Sequence, residues 1–432
     1  MLFFGIACFC MALLAYLFFL VLFEPPLRYA TTAPDCPIDS TQFLCLLGAV
    51  SDTQIHPCSH IDVLTEGAVF YEAELEAIRQ ARASVHLEAF LFTPSPIADR
   101  FLEALSERAR AGVKVRVVLD WVGSFPAPDA YFDGLRNAGG RVEWYQPLRW
   151  YTFKRFNNRT HRELLVIDGD MGFIGGAGVA AHWMTGDNNG LPPWRDMMCR
   201  VRGDLVIGLQ TTFAENWLEA SGEILDVTSE FPHCQCEERV PAADSPGSAP
   251  GVVVISAPTA GRATRARVVF QILLASARKS IRINSPYFLP DRSARAELIK
   301  AAKERGVKVT IITPGPANNH PIARRSSRRI YGQLLQAGIE IYEYQPGMIH
   351  KKALVVDGVW SVVGSTNFDT RSFGLNDEVN LAAMNRDVAA KLDEQFEIEL
   401  SRSEKITYEK WLSRTTSEKI AAIAGRLLER QE

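Results

Sequence analysis

The feature that most constrains the fold is a block of residues that occurs twice in the chain. The second copy runs from His350 through Lys352 to Asp357-Gly358 and continues into Gly364-Ser365-Thr366-Asn367. Side chains alternate faces along a strand, so His350 and Lys352 are expected to point into one site. The apolar run at residues 354–356 predicts a strand buried on both faces, and Asp357-Gly358 predicts the turn that ends it. Imidazole, ammonium, hydroxyl and amide groups together suit an anionic tetrahedral ligand.

The first copy, residues 161–178, keeps this spacing without a gap but changes the chemistry. His161 and Asp168 match their counterparts, whereas Glu163 takes the place of the lysine and Gly178 takes the place of the asparagine. A carboxylate at position 163 is expected to repel an anionic ligand and to pair with Lys352 instead. The two halves of the predicted site are therefore unequal.

The stretches around both copies follow one order of helices and strands, which predicts an α/β fold made by duplication of one domain. In the first unit the patterns predict helices over 72–83 and 97–111 and strands over 84–91 and 113–119; in the second they predict helices over 265–277 and 293–305 and strands over 280–283 and 307–312. Gly112 and Gly306 stand where a glycine commonly ends a helix.

The sequence divides into six expected segments. They are a transmembrane anchor at 2–23, a tether or cover segment at 24–63, the first repeat at 64–225, a linker at 226–251, the second repeat at 252–400 and C-terminal helices at 401–432. The linker is expected to run over the surface, because it is rich in Pro, Ser, Asp and Cys. Residues beyond 387 are expected to be helical to the end.

The N-terminal segment, residues 2–23, carries no charge and is long enough to span a bilayer. A cleaved signal peptide is the competing interpretation, but no basic region precedes the apolar run and no clear cleavage site follows it. The sequence therefore predicts a cell-membrane protein with a single N-terminal anchor. Arg28 is offset by Glu24, so the charges do not decide which side of the membrane the domain occupies.

Charge and cysteine content narrow the remaining possibilities. A net charge of −3 gives no overall signature of nucleic-acid binding. Apart from Cys8 and Cys10 in the anchor, most cysteines lie in the segment before the first repeat and in the linker, where disulfides are possible in an oxidising compartment. Cys234-Gln235-Cys236 beside His233 is closer spaced than a usual zinc motif, so loop thiols or a disulfide are favoured over a metal site.

The first repeat contains about ten more residues before its histidine than the second. This insertion, residues 148–159, alternates aromatic and basic side chains. Such a pattern suits contact with lipid headgroups, although a hairpin that packs its aromatics on the domain explains it equally well. A single-stranded nucleic acid could use the same chemistry.

The duplicated His-x-Lys-x4-Asp block with its trailing Gly-Ser-x-Asn resembles the phospholipase D superfamily, over nearly all of residues 64–415. The second copy matches the pattern in full, and the first matches except at Glu163. Surrounding stretches are most similar to bacterial cardiolipin synthases; they include Leu87-Glu88-Ala89-Phe90, Trp194-Arg195-Asp196, Asn319-His320-Pro321 and Asn376-Asp377-Glu378-Val379. The resemblance implies two α/β repeats with a pseudo-two-fold site between them.

The resemblance also implies a mechanism and a set of catalytic residues. One imidazole attacks phosphorus to form a phosphohistidine, and the other protonates the leaving alkoxide and then deprotonates the incoming alcohol. By family analogy His161 is the nucleophile and His350 the acid and base, and Asp196 and Glu378 orient them. Lysine and amide groups hold the phosphate oxygens, so no metal or other cofactor is expected.

The implied roles of the remaining motif residues are less uniform. Lys352, Asn367 and Ser365 are expected to bind the phosphate. Asp168 and Asp357 are candidate catalytic residues by motif, although each ends a predicted strand and a structural role is favoured. Asn319-His320 is a candidate lining of the site or, equally, a loop cap.

The expected function is phosphatidyl transfer at a membrane, from two phosphatidylglycerols to cardiolipin and glycerol. A membrane-tethered phosphodiesterase acting on lipid or nucleic acid is one alternative, and a non-catalytic lipid-binding protein is another because of Glu163 and Gly178. Glu163 is compatible with an enzyme compensated by Lys154, Arg155 or Arg159, with a degenerate half, or with a sequence variant. Replacing Glu163 by lysine is expected to raise transferase activity.

Overall fold

The computed structural model describes residues 5–6, 9–13, 16, 29–150, 157–186, 190–226, 230–231, 249–257 and 264–414. Its strands, in chain order, are β1 (Ile55–His56), β2 (Ser59–Thr65), β3 (Ser84–Ala89), β4 (Lys114–Asp120), β5 (Arg141–Tyr145), β6 (Leu164–Ile167), β7 (Met171–Gly175), β8 (Met197–Gly203), β9 (Gly251–Ser256), β10 (Ser280–Asn284), β11 (Phe288–Leu289), β12 (Lys308–Pro314), β13 (Glu340–Tyr344), β14 (Ala353–Val356), β15 (Trp360–Gly364), β16 (Phe368–Asp369), β17 (Glu378–Met384) and β18 (Ser403–Ile406).

The α-helices lie between and beside these strands. They are α1 (Thr41–Ser51), α2 (Gly67–Gln80), α3 (Pro96–Arg110), α4 (Asp133–Asn137), α5 (Leu205–Ser221), α6 (Arg265–Ser276), α7 (Arg292–Arg305), α8 (Pro321–Gln336), α9 (Thr370–Gly374), α10 (Arg386–Ser401) and α11 (Tyr408–Leu412). Both glycines expected to end helices have positive φ, 86° at Gly112 and 67° at Gly306, a conformation that glycine adopts without steric cost.

The duplication predicted from the repeated block is confirmed by the order of strands in two sheets. The first sheet has the order β2-β8-β7-β6-β3-β4-β5, and the second contains β9-β17-β15-β14-β10-β12-β13 with β1 and β18 added at its edges. In each sheet the strand that follows the histidine, β6 or β14, pairs antiparallel with β3 or β10. β3 and β4 run parallel, as do β10 and β12. The fold is therefore an α/β domain that occurs twice.

The two sheets share one buried core, which brings the two histidine segments together. Residues of both sheets form this apolar cluster, among them Val118 and Val166 of the first and Val355 and Leu381 of the second. Because β6 and β14 are antiparallel to β3 and β10, each histidine lies where the parallel strands end. The same antiparallel pairing occurs in both sheets, so the two histidines lie at the interface between the repeats.

The segment before the first repeat is part of the fold rather than a simple tether. Helix α1 buries Phe43 in the core of the second repeat, where its ring lies 5.7 Å from that of Trp360. The indole nitrogen of Trp360 donates to the carbonyl of Ile38 at 2.7 Å. β1 then extends the second sheet, and β2 begins the first sheet at Ser59, five residues before the predicted start. The chain thus ties the two repeats together before either is complete.

The C-terminal expectation of continuous helix is wrong within the described residues. After α10, residues 403–406 form β18, which pairs antiparallel with β13 at the edge of the second sheet. Ile406 is buried beside Ile341, which gives this short strand an apolar contact that a surface helix would lack. Residues 415–432 lie outside the described part of the chain.

Several other expectations fall largely outside the described residues. They concern the anchor at 2–23, most of the linker at 226–251 with Cys234 and Cys236, and the centre of the insertion at 148–159 with Lys154 and Arg155. Within the described ranges, no helix has the length and apolar character needed to cross a membrane. The cysteines described there are free thiols.

Candidate active site

Each histidine is held by backbone hydrogen bonds to a segment of the opposite repeat. The N–H of His350 donates to the carbonyl of Arg195 at 2.7 Å, and the N–H of Arg195 donates to the carbonyl of Met348 at 2.8 Å. In the same way, the N–H of His161 donates to the carbonyl of Asp377 at 2.9 Å. Asp196 follows Arg195 in the segment opposite His350, and Glu378 follows Asp377 in the segment opposite His161. One repeat therefore supplies the imidazole and the other supplies the carboxylate that faces it.

The pair formed by His350 and Asp196 is deeply buried. Nδ1 of His350 lies 2.9 Å from Oδ2 of Asp196. The same carboxylate accepts from the indole N–H of Trp183 at 3.1 Å and from the N–H of Met197 at 2.9 Å. Burial alone would raise the pKa of Asp196, but the hydrogen bond from His350 and the positive charge of Lys352 lower it below its ordinary value. Asp196 is therefore an ionised and well-anchored partner.

Burial and the neighbouring ammonium lower the pKa of His350 to about 4, so its imidazole is neutral near pH 7. Nζ of Lys352 lies 3.1 Å from Nε2 of His350 and donates to the backbone carbonyl of the same residue at 2.8 Å. With Nδ1–H directed at Asp196, the lone pair of this imidazole is on Nε2. Trp194 and Trp183 lie against the ring, with centroids 5.4 and 5.6 Å away.

The second pair, His161 and Glu378, repeats this arrangement with a more accessible imidazole. Nδ1 of His161 lies 3.1 and 3.2 Å from the two oxygens of Glu378, and the side chain is 13% exposed. The Glu378 carboxylate also accepts from the hydroxyl of Ser365. Burial would raise the pKa of Glu378, but the charge and hydrogen bond of His161 lower it below its ordinary value. Ser365 thus positions the carboxylate.

Burial lowers the pKa of the Lys352 ammonium to about 8, against the opposing effect of Asp196 and Glu378. The side chain is consequently still protonated at pH 7 and is lodged among acidic groups. Gly176 allows this position, since a Cβ there would lie 3.1 Å from Nζ of Lys352 and 3.1 Å from Oδ1 of Asp196. Lys352 is the ammonium group of the site that faces both imidazole–carboxylate pairs.

A cavity of about 380 Å³ joins the two halves. Its lining includes both histidines, Glu163, Arg159, Asn367, Tyr287, Asn319, His320, Asp369 and Arg371. Within the described part of the chain, the buried Oδ1 of Asn367 has no hydrogen-bond partner, although the residue is only 3% exposed. A ligand that donates a hydrogen bond could satisfy this atom.

The Glu163 carboxyl lines the same cavity and is 5% exposed. The N–H of Leu91 donates to its Oε1 at 3.3 Å. Burial raises the pKa of Glu163 well above its ordinary value, despite this hydrogen bond and the charge of Lys352. Within the described residues, no hydrogen bond or ion pair joins Glu163 to Lys352. Burial therefore favours the protonated, uncharged form of Glu163, which weakens the expected repulsion of an anionic ligand.

Gly178, the other altered motif position, has no room for a side chain. A Cβ there would lie 2.4 Å from the carbonyl oxygen of Leu91 and 2.9 Å from Oε1 of Glu163. Its own carbonyl accepts a hydrogen bond from the hydroxyl of Tyr71. An asparagine like Asn367 therefore cannot be placed at position 178 on this backbone without displacing Leu91 or Glu163.

Asp168 and Asp357, considered as catalytic candidates, do not line the cavity. Asp168 accepts from the backbone N–H groups of residues 82, 83 and 84, and Asp357 accepts from those of residues 278, 279 and 280. Their φ angles of 53° and 55° close the tight turns after β6 and β14. Each aspartate thus joins its turn to the start of the neighbouring strand, β3 or β10.

Several groups at the cavity lie outside the repeated motif: Tyr287 and Asp369 were not predicted, whereas Asn319, His320 and Arg159 were. Tyr287 bonds to Asn319, and the imidazole of His320 caps helix α8 by accepting from the N–H of Ala323 at 3.3 Å. Burial raises the pKa of Asp369 to about 7. Of the three basic residues expected to compensate Glu163, Arg159 is described: it lines the cavity, ion-paired with Asp120 at 3.7 Å. The Asn319-His320 pair therefore both lines the site and caps a helix.

Comparison with known proteins agrees with this architecture. A protein-family profile described as "Cardiolipin synthase, PLD-like domain" matches residues 75–188 and 271–399. The chain is 32% identical over 371 residues to the major cardiolipin synthase of Bacillus subtilis and 31% identical over 368 residues to the cardiolipin synthase of Oceanobacillus iheyensis. Each match covers 85% of this chain and 74% of the relative.

Solved structures are similar in fold at lower identity. The phosphatidylserine synthase of Haemophilus influenzae matches with a TM-score of 0.65 at 14% identity, and the match covers 86% of this chain and 95% of that chain. The polyphosphate kinase of Porphyromonas gingivalis matches with a TM-score of 0.53 at 11% identity, over 85% of this chain and 53% of that one. The fold and the sequence relatives together lead to one assignment: the chain belongs to the family of cardiolipin synthases with a phospholipase D-like domain.

Proposed function

We propose that this protein is a membrane-bound phosphatidyltransferase that converts two phosphatidylglycerols into cardiolipin and glycerol. The observation that carries the proposal is the pair of opposed imidazole–carboxylate units, His161–Glu378 and His350–Asp196, whose imidazoles line one cavity. Lys352 lies beside one of these imidazoles, with Nζ 3.1 Å from Nε2 of His350. Two imidazoles allow one displacement at phosphorus to be divided into two easier steps. The named cardiolipin synthases among the relatives support the choice of lipid donor and acceptor.

In the first step, Nε2 of one imidazole attacks the phosphorus of a phosphatidylglycerol. The bond from phosphorus to the glycerol oxygen breaks, and the other imidazole gives that oxygen a proton as glycerol leaves. In the second step, a hydroxyl of another phosphatidylglycerol loses its proton to the same imidazole and attacks phosphorus. The phosphorus–nitrogen bond breaks, cardiolipin is released and the nucleophile is restored.

We assign the nucleophile to His350, the reverse of the assignment that family analogy favours. A nucleophilic imidazole must be neutral with its lone pair on the reacting nitrogen. The low pKa of His350 and its contact with Asp196 support both conditions. An imidazole with a pKa of about 4 is also a poor proton donor near pH 7. His161, the more accessible of the two, is then the acid in the first step and the base in the second.

The Lys352 ammonium offsets charge on the reacting phosphate, and the amide N–H group of Asn367 donates a hydrogen bond to it. As the substrate enters, the Lys352 ammonium exchanges its contact with Nε2 of His350 for a phosphate oxygen, which frees the lone pair for attack. Donors held in place before the reaction stabilise developing charge without reorganisation, and removal of one such donor typically costs ~10²–10³ in rate. Ser365 acts through Glu378, which accepts its hydroxyl hydrogen bond.

Membrane binding is supported by apolar side chains in two places. Described residues of the predicted anchor expose large apolar groups, such as Phe9 (68%) and Met11 (65%). Two residues follow β4: Val122, which lines the cavity, and Phe125, which is 69% exposed. Trp150, which is 91% exposed, follows the neighbouring strand β5. Exposed aromatic groups of this kind are favourable at the headgroup level of a bilayer. We propose that this edge faces the membrane and admits the lipid headgroup.

The direct test is incubation of the purified full-length protein with phosphatidylglycerol vesicles. The proposal predicts equal molar amounts of cardiolipin and glycerol, and loss of both in a His350→Ala variant that folds normally. Parallel incubation with single-stranded DNA tests the phosphodiesterase alternative. Shortening of DNA without cardiolipin, or lipid binding without any product, would overturn the proposal.

A further inference from the structure

The two departures from the repeated motif, Glu163 and Gly178, are a single structural unit. A Cβ on Gly178 would lie 2.9 Å from Oε1 of Glu163, so the carboxyl uses the space that a side chain at position 178 would need. Leu91 contributes to both: its N–H donates to Glu163, and its carbonyl oxygen approaches Gly178. The corner occupied in the second repeat by Lys352 and Asn367 has therefore been rebuilt in the first.

The rebuilt corner faces the same cavity as both imidazoles but suits a different chemical group. Lys352 and Asn367 already provide the donors for a phosphate on the other side of the site. The Glu163 carboxyl, whose protonated form burial favours, offers both a hydrogen-bond donor and an acceptor in that form, which is what an alcohol hydroxyl needs.

A second observation also points to a ligand that donates hydrogen bonds. Asn367 lines this cavity and is 3% exposed, and its buried amide oxygen has no hydrogen-bond partner among the described residues. A ligand with several hydroxyl groups can donate to this oxygen and to the carboxyl of Glu163. Water offers two donors but lacks the length to reach separate groups from one bound position.

We propose that Glu163, in the space left by Gly178, binds the hydroxyl-bearing head of the acceptor and thereby directs the phosphatidyl group to a polyol rather than to water or a simple alcohol. This inference rests on the proposed phosphatidyl transfer. Glu163 would then select the acceptor. The two halves of the site would differ because the phosphatidyl donor and the acceptor alcohol are bound by different groups.

The test compares acceptors within one reaction, so that loss of total activity does not affect the result. The full-length protein is given phosphatidylglycerol vesicles with equal concentrations of deuterated glycerol and 1-propanol. The products are deuterated phosphatidylglycerol, phosphatidylpropanol, cardiolipin and, from hydrolysis, phosphatidic acid. Mass spectrometry gives the ratio of glycerol to propanol product and the ratio of cardiolipin to phosphatidic acid.

For Glu163→Ala we expect both ratios to fall roughly 2- to 10-fold, the effect of losing one hydrogen bond to a neutral partner. Glu163→Gln keeps a donor and an acceptor and should retain both ratios within about twofold. Glu74→Ala is the matched control: Glu74 is another buried carboxyl of the first repeat, also with a raised pKa, about 8, and it does not line the cavity. Its ratios should equal those of the wild type.

Two kinds of failure are distinguishable. If the wild type makes cardiolipin but Glu163→Ala leaves both ratios unchanged, acceptor selection by Glu163 is wrong and phosphatidyl transfer stands. An equal loss in Glu163→Gln and Glu163→Ala would likewise overturn the hydroxyl-binding role. If the wild type makes no phosphatidyl-transfer product at all, the proposed function fails, and this inference fails with it.

Discussion

Replacing Glu163 by lysine restores the motif, and the structure predicts that it lowers activity rather than raising it. The N–H of Leu91 would lose its acceptor, since an ammonium group has only donors. A buried donor left without a partner costs about 1–3 kcal/mol. The new charge would also lie close enough to Lys352 to interact with it electrostatically, and Gly178 still could not supply the missing amide.

The added positive charge at position 163 gives the Glu163→Lys variant a distinctive pH dependence. Lys352 must be protonated to bind phosphate, so wild-type activity should be present below a pH of about 8 and lost as the pH rises through that value. A like charge nearby disfavours the protonated form of Lys352 and should move this loss downward by roughly one pH unit. At pH 8 the variant should therefore be less active than at pH 7, by a larger factor than the wild type.

The assay is cardiolipin formation in phosphatidylglycerol vesicles from pH 6 to pH 9, with urea unfolding measured on the same preparations. Glu163→Gln is the control, because it keeps an acceptor for Leu91 and adds no charge. Higher activity in Glu163→Lys at pH 8, with unchanged stability, would refute the description of Glu163 as a hydrogen-bonded carboxyl whose protonated form burial favours. That result would instead support simple loss of a phosphate-binding lysine.

Two further variants test other parts of the site. Asp196→Asn should lower kcat by roughly 10²–10⁴, because the imidazole of His350 would lose the acceptor that fixes its tautomer. Steady-state kinetics of cardiolipin formation would measure this loss. A change of less than threefold would contradict the pairing of His350 with Asp196. Asp357→Ala should instead lower the free energy of unfolding by about 1–3 kcal/mol, since it removes the acceptor of three backbone N–H groups; urea denaturation measures the loss, and a variant of wild-type stability with abolished turnover would show that Asp357 acts in catalysis.

Much of the fold was predictable because it depends on patterns that are local in the chain. The expected helix over 97–111 is found at Pro96–Arg110, and the expected strand over 280–283 is found at Ser280–Asn284. Helix α1 and strand β18 were less accessible to such reasoning. Phe43 and Ile406 are buried by contacts with residues far along the chain, which no local pattern specifies.

The candidate site also depends on contacts between residues far apart in the chain, which local sequence patterns do not specify. Spacing alone brings each histidine to the end of a strand, but the charge of Glu163 depends on burial and on the N–H of Leu91, which lies far from it in sequence. Likewise, Asp168 and Asp357 share the motif with the histidines, and only their contacts with backbone N–H groups reveal a structural task.

The central claim is that turnover passes through a phosphohistidine on one of the two opposed imidazoles. The most direct measurement is to quench the enzyme in alkali during turnover, digest it and locate the phosphatidyl-linked or phosphorylated histidine by mass spectrometry. We expect a modified His350, no such modification in Asp196→Asn at the same quench time, and an unmodified His161. Cardiolipin formation with no modified histidine at any time would contradict the mechanism, and modification of His161 would contradict the assigned roles.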